Sequence, residues 1–181
     1  MKATGIVRRI DDLGRVVIPK EIRRTLRLRE GTPLEIFTDR EGEIILKKYS
    51  PMVELAAFAV QYAEAMAQST GLMVCIADRD QIIAVSGGPK KEYYQKTISR
   101  ALEHVIQERA TVQAGKDDRN YVEVSAEDME GVTAQVVTPI ICEGDAIGAV
   151  VIMSREPRAK FSEGELRLAA TAAGFLGRQM E

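Results

Sequence analysis

The sequence predicts an α+β protein in two unequal parts: a small β-β-α-β-β unit over residues 1–50, and a larger antiparallel sheet flanked by helices over residues 51–181. Three observations carry this reading. Charge is divided, because residues 1–50 hold 12 Lys and Arg against 8 Asp and Glu, a net of +4, while residues 51–181 hold 13 against 19, a net of −6, within an overall −2. Hydrophobic spacing is divided too, with short period-2 runs in the first part and helical periodicities interleaved with strands in the second. Tyr49-Ser50-Pro51 is a break between them, which puts the boundary at 50–52. A basic end on an acidic remainder points to a polyanion-binding module joined to something else.

In the first part, Ile6–Ile10 and Arg15–Ile18 read as two short strands around Asp11-Asp12-Leu13-Gly14, a turn cluster closed by glycine. Pro19 suits the first position of a short helix that puts Ile22 and Leu26 on one face and turns Arg23, Arg24 and Arg27 elsewhere. Leu34–Phe37 and Glu43–Lys47 are two further strands, joined through Asp39–Gly42. About fifty residues with four short strands, no disulfide and no metal bury too little core alone, so the unit is expected to interleave with a second copy.

In the second part, Met52–Gln68 reads as a helix with Val53, Ala56, Val60 and Ala63 on one side and Leu55, Phe58 and Tyr62 on another. Leu72–Ile76 and Ile82–Val85 form a hairpin over Asp78-Arg79-Asp80, closed by Ser86-Gly87-Gly88-Pro89. A helix from Thr97 to Glu108 is expected to bury Ile98, Ala101, Leu102, Val105 and Ile106. Strands follow near 121–125, 133–141 and 146–153. The last helix starts at Ser162 with Glu165 three residues on, a capping box, and presents two apolar faces: Leu166, Ala169, Ala170, Ala173 and Met180 on one, Leu168, Ala172 and Phe175 on the other. Two-sided apolarity in both terminal helices points to a helical-bundle contact between copies.

Arg8, Arg15, Arg23 and Arg24 are the candidate functional residues, since guanidinium keeps its charge and bonds phosphate or a guanine edge with a forked pair of donors. A solvated charged face explains such residues equally well in one chain. Two-fold symmetry doubles the set on one surface, which matches pseudo-palindromic double-stranded DNA. The ungapped run from Thr4 to Leu26 closely resembles the signature of the AbrB-type swapped-hairpin transcription regulators, and the resemblance continues through Leu34–Phe37 to Tyr49. It implies a swapped-hairpin β-barrel dimer and sequence-specific DNA binding, with Arg8, Arg15, Arg23 and Arg24 facing DNA and Arg9, Lys47 and Lys48 as accessory contacts.

The second part resembles a GAF domain through Thr138-Pro139-Ile140 and Gly144–Ile152, which implies a regulatory or oligomerisation domain with a small-molecule pocket. Ser86, Gly87 and Gly88 are its candidate ligand-binding residues, by backbone contact with an anion, although a plain turn accounts for them as well. Together the two resemblances imply an activator or repressor of sporulation genes working in the forespore cytoplasm. The GAF likeness also implies an unidentified small-molecule effector, and one self-association surface per part gives either a closed dimer or a tetramer, the tetramer being favoured. One rival is a MazE-like antitoxin acting through protein contact, against which the globular patterning of residues 51–181 weighs, and a second is a metabolite-binding enzyme or sensor whose basic head merely assembles subunits.

With 45% apolar and 29% charged residues, the 181-residue chain is expected to be an ordinary globular protein. Its longest apolar run, Ala146–Met153, falls far short of the ~18 residues a bilayer needs, so no membrane partner is expected. Cys75 and Cys142, each among apolar residues, read as reduced buried thiols. Two Cys and one His are too few for a zinc site of about four clustered ligands, and Glu123–Glu130 lacks the spacing of a calcium loop, so neither metal nor cofactor is expected. His104 falls off its helix's apolar stripe and Asp78 and Asp80 sit in a turn, so nothing resembles a catalytic constellation.

Overall fold

A computed structural model describes residues 5–49, 56–127 and 130–180. The chain divides into two compact units, Met1–Tyr49 and Ser50–Glu181. The expected boundary at 50–52 and the expected helical start at Met52–Leu55 lie outside the described residues.

Unit 1 contains helix α1 (Lys20–Thr25) and strands β1 (Leu34–Thr38) and β2 (Ile44–Lys48). The strands pair antiparallel from Leu34 opposite Lys48 to Thr38 opposite Ile44. At their turn Asp39 Oδ1 accepts the N–H groups of Glu41 at 3.0 Å and Glu43 at 2.9 Å. The two strands expected at Ile6–Ile10 and Arg15–Ile18 are not strands in the single chain. One backbone bond, Asp11 N–H to the Arg15 carbonyl at 3.0 Å, joins the arms at their turn, and neither arm lies in a ladder. Period-2 sequence makes an arm fit for a sheet, but a ladder also needs a neighbouring strand, and a lone ribbon is marginal in water. Helix α1 likewise buries none of its residues.

Unit 2 is a three-layer arrangement around a five-stranded antiparallel sheet of order β4-β3-β7-β6-β5. Its elements are α2 (Ala56–Thr70), β3 (Met73–Asp78), β4 (Ile82–Ser86), α3 (Lys90–Tyr93), α4 (Arg100–Glu108), β5 (Val112–Gly115), β6 (Ala134–Cys142), β7 (Asp145–Ser154) and α5 (Glu163–Arg178). The central β7 is buried at every residue after Asp145, which is why Ala146–Met153 reads as an unbroken apolar run. On one face α2 and α5 pack through Ala63, Met66, Ala169, Ala173 and Leu176 against Val74, Val136 and Ile152. On the other, α4 lays Leu102 and Ile106 over Cys75, Val137 and Val151.

Three expectations in this unit are corrected. Residues 121–125 do not form a strand beyond a single bridge from Ser125 to Ile98. They cross the sheet face instead and bury Val122 and Val124, so the period-2 signal is real although the backbone enters no ladder. The edge beside β6 is taken by Val112–Gly115, too short to stand out in the sequence. Ala101, expected in the buried stripe of its helix, is exposed. That helix begins at Arg100, three residues after the expected Thr97, because Ser99 caps it by accepting the Leu102 N–H at 2.9 Å. The box at Ser162 forms as expected: its hydroxyl accepts the Gly164 N–H at 3.1 Å, and Glu165 accepts the Ser162 N–H at 2.7 Å.

Candidate nucleic-acid interface

The candidate arginines Arg8, Arg9, Arg15, Arg23 and Arg24 are all exposed. Their presentation starts with Asp11. Its Oδ1 accepts the N–H groups of Leu13 at 3.0 Å and Arg15 at 2.8 Å, and Gly14 takes the positive φ of +73° that lets the chain reverse. The other carboxylate oxygen meets Arg15 Nε at 2.8 Å. These bonds, first the backbone N–H of Arg15 and then its guanidinium, hold the Asp11 carboxyl below its ordinary range. Arg15 is thereby tethered through Nε while its two terminal nitrogens stay available for a second acceptor.

Arg23 and Arg24 occupy successive positions of α1, whose start is set by Pro19 and whose last turn they occupy, a favourable place for cations at the negative end of the helix dipole. Lys47 lies with its ammonium 4.7 Å from the centre of the Phe37 ring, a cation–π contact that steadies a flexible side chain, and it is exposed. Lys48 is half-buried next to it on β2. The arginines thus come from two arms of one turn and a following helix, and the lysines from a separate hairpin. From the sequence alone Asp11 reads only as a turn residue. The signal was present in the four-residue spacing of Asp11 and Arg15.

In unit 2, Ser86 ends β4 half-buried and Gly87 follows with φ +71°. A Cβ on Gly87 would lie 2.3 Å from the Leu72 carbonyl oxygen, and one on Gly88 2.1 Å from Met73 Sδ. Close packing, of Gly87 against the Leu72 backbone and of Gly88 against the Met73 side chain, therefore accounts for both glycines within the fold. His104 is exposed on α4. Asp78 spends Oδ1 on the N–H groups of Asp80 and Gln81, both at 2.7 Å, which makes it the turn cap its position suggested. Cys75 and Cys142 are buried thiols, and burial pushes the Cys75 thiol well above its usual range, away from reactive thiolate.

Comparison with known proteins decides what this pairing of a cationic head with a three-layer body represents. Residues 54–181 match the family described as "Stage V sporulation protein T C-terminal, transcription factor". Over 181 residues the chain is 56% identical to stage V sporulation protein T of Bacillus subtilis (strain 168), spanning 100% of this chain and 99% of that protein. The chain belongs to the stage V sporulation protein T family. It is accordingly a transcription regulator of sporulation, with a DNA-binding head of the AbrB type.

Within this family the two units have separate likenesses. Over 51 residues the chain is 65% identical to the transition state regulatory protein AbrB of the same organism, covering 28% of this chain and 52% of that protein. Residues 7–53 match the family described as "Antidote-toxin recognition MazE, bacterial antitoxin". The body shares its fold with the GAF domain of an Acinetobacter phosphoenolpyruvate-protein phosphotransferase, at a TM-score of 0.54 and 14% identity over 74% of this chain and 84% of that one. At that identity the likeness speaks for the fold alone.

Proposed function

We propose that two copies of residues 1–50 interleave their Ile6–Ile18 arms into one swapped-hairpin β-barrel, which binds double-stranded DNA through Arg8, Arg15, Arg23 and Arg24. Arg9, Lys47 and Lys48 add phosphate contacts. One observation carries the reading: the segment that holds Arg8, Arg9 and Arg15 also leaves Val7 87%, Ile10 65% and Val17 70% exposed in the single chain. Apolar surface of that kind, on arms already fit for pairing, calls for strands from a second copy, and pairing them would leave the cations outside. Phosphate contacts fix the register and base edges supply sequence discrimination.

Residues 51–181 serve, in this reading, as the regulatory and oligomerisation body. Tyr62 on α2 stacks on Phe175 of α5 at 5.0 Å between ring centres, and Phe58 and Phe175 remain 50% and 40% exposed beside it. That aromatic face would join two bodies and, with the head dimer, close a tetramer. The body acts through assembly and a small-molecule effector rather than by catalysis, and the protein works in the cytoplasm of the forespore as activator or repressor.

Fluorescence anisotropy of a labelled duplex tests the head. The full chain binds, isolated residues 51–181 do not, and Arg23→Ala or Arg24→Ala weakens binding by about 1–3 kcal/mol while the dimer persists. Parental affinity in both variants would overturn the assignment. The match of residues 7–53 to an antitoxin family favours one second reading, neutralisation of a toxin by protein contact. Stoichiometric co-purification of a small basic protein, together with no duplex binding at low salt, would replace the DNA reading with that one.

A further inference from the structure

Gln135 on β6 is wholly buried, and among the described residues neither its Nε2 nor its Oε1 has a hydrogen-bond partner. It sits in register between Ala114 on β5 and Met153 on β7, with Val137 two residues along on the same side of the strand. Val137 and Met153 belong to the apolar layer beneath α4, with Cys75, Leu102 and Val122. The other buried unpaired group, the Thr138 hydroxyl, is on the opposite face by strand alternation and offers Gln135 nothing.

A carboxamide stripped of water and left unpaired is among the more expensive things a core can hold, and native interiors rarely keep one without a use. Leucine or methionine would fill the same space at no such cost. The group presents one donor and one acceptor side by side, so its natural complement presents an acceptor and a donor side by side. Charge is not called for: Asp78, the charged residue buried among the described residues of this unit, spends its Oδ1 on the N–H groups of its own turn. Tyr93 is buried and Tyr121 partly buried in the same layer, and burial keeps both hydroxyls protonated, as neutral donors.

We infer that Gln135 is the recognition group of a small-ligand site between the sheet and α4, taking a neutral molecule with an apolar body and one amide or lactam edge. The site gives the effector role proposed above a location and a ligand chemistry, and it rests on that role. It is separate from the turn at Ser86-Gly87-Gly88, whose glycines are spent on packing against Leu72 and Met73.

The test uses the full chain with benzamide and 2-pyrrolidone as probes, and N,N-dimethylbenzamide, which lacks the donor, as the control. At ten times its Kd an accepted probe raises Tm saturably by about 3–5 °C and shifts the Gln135 side-chain NH2 signals in a proton–nitrogen correlation spectrum. The dimethyl control does neither. Gln135→Met removes both polar atoms at nearly constant volume; its probe-free Tm equals or exceeds the parent's, and the probe-induced rise is lost. Should that variant fail to fold, Gln135→Asn, which withdraws the amide by one methylene, carries the same comparison and should show a reduced rise. No Tm rise with either probe in the parent, or an undiminished rise in the variant, overturns the site. The DNA reading is scored separately by duplex anisotropy without probe, so failure of one leaves the other standing.

Discussion

Asp11 and Arg15 show how four residues of sequence can aim a charge. The carboxylate closes the turn with one oxygen and tethers the guanidinium with the other, at 2.8 Å. Asp11→Asn keeps the turn acceptor and loses the ion pair. We expect it to raise affinity for mixed-sequence duplex at low salt, because a negative charge is removed from the surface proposed to face phosphates, and to narrow the gap between specific and non-specific sites, because Arg15 is no longer held. Paired anisotropy titrations on the two kinds of duplex check both directions. Because the Asp11 carboxyl is held low when folded, what the pair adds to stability is present above the ordinary value of 3.8 and is lost as pH falls through the folded value.

Tyr121 runs the other way. Burial first, then the charge of Glu123, pushes its hydroxyl from 10.0 up to about 12. The neutral form is the one the fold accepts, so its contribution is complete below pH 10 and fades as pH rises toward about 12. An ultraviolet titration of the tyrosinate band should show a late phase that loses one tyrosine's amplitude in Tyr121→Phe, the buried Tyr93 keeping its own share.

Among the elements, α5 and the head arms mark two extremes of legibility. The Ser162–Glu165 box is a local pattern with a local cause, and it forms as the residues specify. Ser162→Ala should cost about 1 kcal/mol, a fall of about 2–4 °C in Tm seen by calorimetry. Gly177 is the opposite case: nothing in Leu176-Gly177-Arg178 says that a Cβ there would come within 2.1 Å of the Ile141 carbonyl oxygen on β6. Leu176, fully buried on the same turn, likewise falls outside both apolar faces that spacing alone suggested. The arms of Ile6–Ile18 have strand-like sequence without strand structure in the single chain; in the reading proposed above, the ladder partner they lack is a second copy.

For the whole molecule the arginine assignment has a collective consequence. If the eight arginines of a dimer, four per copy, all neutralise phosphates, log K should fall with log salt at a slope of about −7. A slope near zero in anisotropy across several salt concentrations would remove the electrostatic basis of the reading. The aromatic face of α2 and α5 has its own test. Phe175→Glu places a charge beside Tyr62 where two bodies would meet, and sedimentation should show the assembly falling from tetramer to dimer.

The charge division, the turns at Asp11–Gly14 and Asp39–Gly42, the capped last helix, the buried central strands and the cationic head are all legible in the order of residues. Each of these rests on neighbours within a few residues, or on a run long enough to state its own period. Tertiary structure alone decided which strand stands at the sheet edge, that residues 121–125 cross a face instead of joining a ladder, and which faces of α2 and α5 are covered. It alone left Gln135 unpaired, because satisfaction of a buried amide depends on atoms from strands twenty residues or so away on either side, and no local pattern records them.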